Sequence, residues 1–307
     1  MKKLIALVLS LLAVASLVAG CSSGKGTTVN SGEKSVTFSL LSSPASLDPA
    51  TTTDGHSLMV ETQLFSMLVE SKGGTSSEIK PDIAESWEIS EDGLTYTFKL
   101  RDDVYFHNGK LLTADDVVYT FNRVMTEPYT SYYAAPIKSV EATDEHTFVA
   151  HLNYPFADFL TLIGGIYFGI CCEEAITAGS DFMYKPVGTG PYKLEGGYIP
   201  GQAFKFVYND QYYGAEPDIK EINFKIQPDT NTAVISLQNG EVDFIPALTV
   251  NDIGTIENDE NLALYQAPSY TIHYVCFNKN NAPWNIKEVR QAINYAINKQ
   301  DLLDGAL

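Results

Sequence analysis

The stretch WEISEDGLTYTFKL, Trp87 to Leu100, places the tightest limit on what this chain can fold into: two runs of alternating apolar and polar residues flank Asp92-Gly93. Alternation with period two sends one face of each run to a core and the other to water, and Asp-Gly supplies the backbone angles of a tight turn. The spacing predicts an antiparallel hairpin. The period then changes. In LLTADDVVYTFNRVM, residues Val117, Phe121, Val124 and Met125 share one face of a helix, with Thr113 as N-cap, Asp116 three residues on as the other half of a capping box, and Pro128 as the stop. A second hairpin is expected from Ile137 to Glu141 and His146 to Leu152, around Thr143-Asp144-Glu145.

Elsewhere Val36, Phe38 and Leu40 alternate in an early strand, and further strands are expected at Phe204 to Tyr208, Ile222 to Gln227, Val242 to Ile245 and Tyr270 to Phe277. A helix should run from near Asp229 to Gly240, and another from Ile286 to Asn298 with Val289, Ile293, Ala296 and Ile297 facing inward. Strands alternating with helices point to an α/β protein with a partly parallel sheet, and the length calls for more than one domain. No internal repeat stands out. The sequence stops at DLLDGAL, where one helix and one strand fall short of a further domain, so it reads as a fragment.

The first residues, MKKLIALVLSLLAVASLVAGC, have the three-part layout of a secretory signal: two lysines, an apolar run too short for a comfortable membrane span, and small residues before Cys21. Leu17-Val18-Ala19-Gly20-Cys21 resembles a bacterial lipobox, which implies cleavage before Cys21 and lipidation of its thiol. Residues 1–20 are accordingly a signal, and 21–35, rich in Ser, Gly and Thr, a flexible tether. Loss of Lys2 and Lys3 with the signal moves the net charge from −18 to −20. So acidic a surface excludes nucleic acid as a partner and leaves membrane contact to the acyl chains. Of the remaining cysteines, Cys171 and Cys172 are adjacent and ill suited to a disulfide framework; with Cys276 they read as small buried hydrophobes.

KPVGTGPYKL, Lys185 to Leu194, raises the question of a phosphate loop. Pro191 after Gly190 removes a donor, no Lys-Ser or Lys-Thr follows, and the third glycine of a dinucleotide fingerprint would fall at Lys193. The glycines read instead as conformational, allowing tight turns and close approaches. His56, His107, His146, His151 and His273 lack metal-ligand spacing, and no G-x-S-x-G occurs. Asp229-Thr230 is followed by Asn231, where an aspartic protease has Gly. Neither catalysis nor a cofactor is expected. The 18 tyrosines do stand out, clustered at Tyr129 to Tyr133, Tyr212-Tyr213 and Tyr270 to Tyr274, as rigid faces with one hydroxyl each that suit a cleft accepting varied ligands.

Four ordered segments, LSSPASLDPATTTD, IKPDIAESWEISEDGLTYTFKLRDDVYFHNGKLLTADDVVYTFNRV, KPVGTGPYKL and FNKNNAPWNIKEVRQAINYAINKQDLL, resemble those of the family 5 extracellular solute-binding proteins, which serve ABC importers. The resemblance implies a periplasmic-binding-protein-like (class II) two-lobed clamp with an extra domain. Residues 36–58 and 185–269 would form domain I, 59–184 domain II, and 270–307 the start of an incomplete domain III. It implies ligand contacts from the loop Ser43-Pro44-Ala45, from Tyr132, and from Tyr270, His273 and Tyr274 on a strand facing the cleft. It implies a monomer, held by its lipid to the outer face of the cytoplasmic membrane, that captures dipeptides or oligopeptides and delivers them to permease subunits with cytoplasmic ATPases. Alternatives are a same-fold binder of nickel chelate, heme, glycoside or opine, a peptide-signal receptor and, from another class, a secreted lipoprotein hydrolase.

Overall fold

Strand alternation and helix caps act as the sequence dictates in the computed structural model, which describes residues 34–71, 78–179, 181–267 and 274–305. In chain order the elements are β1 (Lys34–Leu40), α1 (Gly55–Glu61), β2 (Val69–Ser71), β3 (Ile79–Pro81), β4 (Ala84–Ile89), β5 (Thr95–Leu100) and α2 (Ala114–Thr126). There follow β6 (Ile137–Asp144), β7 (Thr147–Leu152), α3 (Phe159–Ile163), a 3-10 turn (Ile166–Phe168), α4 (Glu173–Thr177), β8 (Tyr192–Leu194), β9 (Phe204–Tyr208) and β10 (Ile219–Ile226). Helices α5 (Thr230–Gln238), α6 (Val250–Glu257), α7 (Lys287–Ala296) and α8 (Lys299–Gly305) complete the set.

The predicted hairpin is β4 and β5, antiparallel, with Gly93 at φ +68° in the turn. It joins the second hairpin in a fully antiparallel sheet of order β4-β5-β7-β6. Helix α2 covers this sheet: Val117, Phe121 and Val124 are buried, and the Phe121 ring lies 4.7 Å from Phe148 and 4.9 Å from Phe168. Each such fully buried side chain contributes about 1.5–3 kcal/mol. Asp116 closes the start of α2 by accepting the Thr113 N–H at 3.1 Å and binding Lys110 Nζ at 2.8 Å.

Of the other two sheets, β2-β3 is a two-stranded antiparallel pair and β1-β10-β9-β8 is mixed. β1 runs parallel to β10 and the remaining pairs are antiparallel. Its core is aromatic, with Phe204 stacked on Phe224 at 4.7 Å and Phe206 edge-on at 5.0 Å, beside Leu40, Val60, Leu64 and Phe65. Two cores thus share one compact unit, and Cys171 and Cys172 mark their border: Cys171 packs into the aromatic core and Cys172 into the core under α2. Both thiols are free and buried.

Three expectations need correction. The strand at Val242 to Ile245 shrinks to a single parallel bridge, Phe38 with Phe244, because the Asp243 carboxylate takes the Thr37 N–H at 2.7 Å and Pro246 offers no donor. Tyr274 to Phe277 is neither strand nor helix, and no neighbour among the described residues pairs with it; Tyr270 to His273 lie outside the described residues. Cys276, expected inside, is exposed.

Gly188 and Gly190 show why KPVGTGPYKL is built as it is. Neither has a positive φ. A Cβ on Gly188 would fall 2.1 Å from the Leu64 carbonyl oxygen, and one on Gly190 2.5 Å from the Leu64 carbonyl carbon. Close backbone approach, not turning, is their task. Gly190 N–H then reaches Leu64 O at 2.9 Å, and Tyr192 N–H reaches Gln63 O at 3.1 Å.

Candidate functional site

The loop after β1 is fixed from several sides. Asp54 caps α1, with Oδ1 accepting the N–H groups of His56 at 3.1 Å and Ser57 at 2.9 Å, while Oδ2 accepts the Ser57 hydroxyl at 2.5 Å. Burial pushes this carboxyl up, but hydrogen bonds from Ser57, Ala45 and His56 together hold it below its ordinary value. Ala45 N–H donates to Ser57 Oγ at 2.9 Å, the Tyr198 hydroxyl donates to the Pro44 carbonyl, and Gly201 N–H donates to Ser43 Oγ at 2.5 Å. Ser42 Oγ meets His56 Nδ1 at 2.9 Å. Pro44 is buried and Ala45 exposed. Two of the backbone groups expected to meet a ligand are therefore engaged inside the protein. The exposed residues of the loop are Ser42 and Ala45.

Tyr132 lies on the turn after α2. It is 63% exposed and stands in a column of rings, 4.0 Å from Tyr133, which in turn stacks on Tyr167 at 4.3 Å. A hydrogen bond with Tyr133 pushes the Tyr132 hydroxyl up to about 12, so it stays a neutral donor. Thr130, buried on the same turn, donates to the Ala50 carbonyl at 2.8 Å, and Arg123 from α2 grips Asp48 with both Nη atoms, one contact at 2.6 Å. The structure thus docks the tyrosine turn on the segment that continues the Ser43–Ala45 loop. Tyr274 is exposed and outside any strand. Tyr270, His273 and Cys21 lie outside the described residues.

Sequence reading passed over Asp54, Ser57, Tyr198 and Thr130. Asp54 had a legible signal, an acidic N-cap type of residue one turn before the apolar run Leu58-Met59-Val60. Tyr198 had none, because its partner Pro44 is 154 positions away.

His107 clamps the glycine segment. Gly188 N–H donates to its Nδ1 at 3.3 Å and its Nε2 donates to the Gly190 carbonyl at 3.2 Å, which defines a neutral imidazole. Burial lowers its pKa to about 4. Asp82, pushed up to about 6 by burial, accepts the Tyr213 hydroxyl and the Met67 N–H. A cavity of about 490 Å³ opens elsewhere, lined by Leu237, Phe244, Ile253 and Ile256, and it includes none of the expected ligand residues. Among the described residues no three metal-ligating side chains converge, and no helix is long and apolar enough to cross a membrane.

Two four-stranded sheets with separate cores thus carry a loop framed by side chains. The family model of bacterial extracellular solute-binding proteins, family 5 middle, matches residues 78–307. The chain belongs to this family. It is 34% identical over 288 residues to heme-binding protein A of Haemophilus influenzae, an alignment covering 85% of this chain and 52% of that protein. To the dipeptide-binding protein of Escherichia coli it is 32% identical over 297 residues, covering 88% and 55%. Among solved structures, the ABC transporter-associated periplasmic binding protein DppA of Helicobacter pylori, in complex with peptide STSA, superposes with a TM-score of 0.78 at 28% identity, covering 88% of this chain and 58% of that one. The mixed α/β architecture is therefore that of the periplasmic binding proteins, and the chain spans little more than half the length of these relatives.

Proposed function

We propose that this chain is the first-lobe portion of a receptor that captures short peptides between two lobes and hands them to an ABC permease with cytoplasmic ATPases. The observation that carries this reading is the Tyr132–Tyr133–Tyr167 column, whose outer ring is exposed yet already packed, tilted by 35°, against Tyr133, on a turn tied to Ala50 beside the Ser43–Ala45 loop. A pre-packed aromatic face loses little freedom on binding and accepts many side chains, while those backbone groups of the loop that are not taken up inside the protein meet the peptide main chain. Ser43, Pro44, Ala45, Tyr132, Tyr270, His273 and Tyr274 form our contact set. The dipeptide-binding relative and the peptide-bound DppA structure support peptides as the ligand class. In this reading the protein is not an enzyme, needs no cofactor, acts as a monomer, and is tethered through lipidated Cys21 to the outer face of the cytoplasmic membrane.

The domain division follows the same proposal: 36–58 and 185–269 as domain I, 59–184 as domain II, 270–307 opening domain III. Core packing supports a crossing a few residues later on the outward path, since Val60, Leu64 and Phe65 side with the aromatic core and Leu68 with the other.

Isothermal titration with a mixed di- and tripeptide library, and separately with heme, tests the reading. Peptides should bind, and Tyr132→Ala should weaken binding by about tenfold, the scale of an interface anchor. Binding of heme with no response to any peptide would overturn it.

A further inference from the structure

Glu61, the last residue of α1, is fully buried (0% exposed). Its Oε1 is bonded to the Thr52 hydroxyl, while Oε2 finds no protein donor. The charged groups facing it offer no compensation. Asp48, on the turn below, and Asp54, the cap of its own helix, are both acids; the Cys171 thiol faces it from the segment before α4. Arg123, the cation of this junction, is held by both carboxylate oxygens of Asp48. Among the described residues no lysine, arginine or histidine lies within 4.0 Å of Glu61 in an ion pair. An ionised carboxylate here would be a buried charge with one donor, whereas a carboxylic acid would be nearly satisfied.

Proton counting points the same way. Thr52 Oγ lies within hydrogen-bond distance of both Glu61 Oε1 and the Asp48 carbonyl, the latter at 3.0 Å. A hydroxyl has one proton to give, so both bonds form when Glu61 supplies the second. The chain then runs from the Glu61 O–H to Thr52, and from Thr52 to Asp48.

We propose that Glu61 keeps its proton at neutral pH and acts as a proton-dependent latch on the turn 48–52, the turn whose Asp48 and Ala50 hold Arg123 and Thr130. Burial, opposed by the Thr52 bond and reinforced by Asp48 and Asp54, pushes this carboxyl up to about 8. The group's folded value is raised, so its stabilisation is complete below its ordinary value of 4.5 and is lost as pH rises toward about 8. Over that window the opened turn releases a proton that the closed turn keeps, and opening becomes about tenfold easier per pH unit. The latch does not depend on which solute the protein binds.

The test is amide hydrogen exchange at Ala50, Thr51 and Thr52 in the full chain, against Glu61→Gln, which keeps the shape and a donor for Thr52 but cannot titrate. Both chains should match near pH 5, and the wild type should lose protection relative to the variant on the way to pH 8. Protection that runs parallel in the two chains, or a variant destabilised equally at every pH, would overturn the latch. If the variant does not fold, infrared spectroscopy of the wild type decides. The carbonyl stretch of a buried carboxylic acid should persist at pH 7 and vanish above about pH 8; its absence at pH 7 would refute the proposal.

Discussion

Helices α2 and α7 carry the same kind of pattern and meet different environments. In α2 the apolar face is closed over by β6, β7 and the 3-10 turn, and Val117, Phe121 and Val124 are buried. In α7 the corresponding residues Val289 and Ile293 stay half-buried, Tyr295 is 87% exposed, and no residue is buried. The inward face expected for Ile286 to Asn298 is present as a stripe, but among the described residues nothing covers it, and Ala296 is exposed. Periodicity declares which face a helix would bury. Only a partner turns that face into stability.

The contrast is most easily broken by truncation. Phe121→Ala should cost about 3–5 kcal/mol in chemical denaturation, the range for a fully buried aromatic, whereas Ile293→Ala should cost less than about 0.5 kcal/mol. Equal costs would mean that α7 is packed in solution. Acid should discriminate next, because the packed region is clamped by His107 and α7 has no such tie. Below about pH 6.5 the unfolded imidazole takes a proton that the folded site refuses until about pH 4, so stability falls on acidification across that window, by ~3 kcal/mol in all. His107→Gln should remove that part of the acid sensitivity when the two chains are compared by thermal melts at matched pH. Gly188→Ala should cost about 1–3 kcal/mol, since the added methyl meets the Leu64 carbonyl and the backbone has to move. A Gly254→Ala change in α6, where a Cβ meets nothing within 4 Å, should be neutral or gain about 0.5–1 kcal/mol. A neutral Gly188→Ala would show that the segment can give way.

Much of the fold could be read in the chain. The Asp92-Gly93 hairpin, the Thr113–Asp116 box, the Asp229 cap of α5 and the strands β1, β9 and β10 follow from local chemistry, because turns, caps and alternation involve neighbours within a few residues. The short elements α3, α4 and β8 escaped notice for the complementary reason: three to five residues carry too little period to count.

The candidate site divides along the same line. The sequence by itself determined that Ser43-Pro44-Ala45 forms a loop after a strand and that tyrosines gather at 129–133, since both depend on residue type and order. Only the tertiary structure decided that the Pro44 carbonyl is taken by Tyr198, that Thr130 docks the tyrosine turn on Ala50, and that Gly188 exists to admit the Leu64 carbonyl. These are contacts between segments 80 to 154 positions apart. Hydrogen bonds and van der Waals contacts act over a few ångströms, so their partners are chosen by how the sheets and helices pack and leave no periodic trace in the sequence.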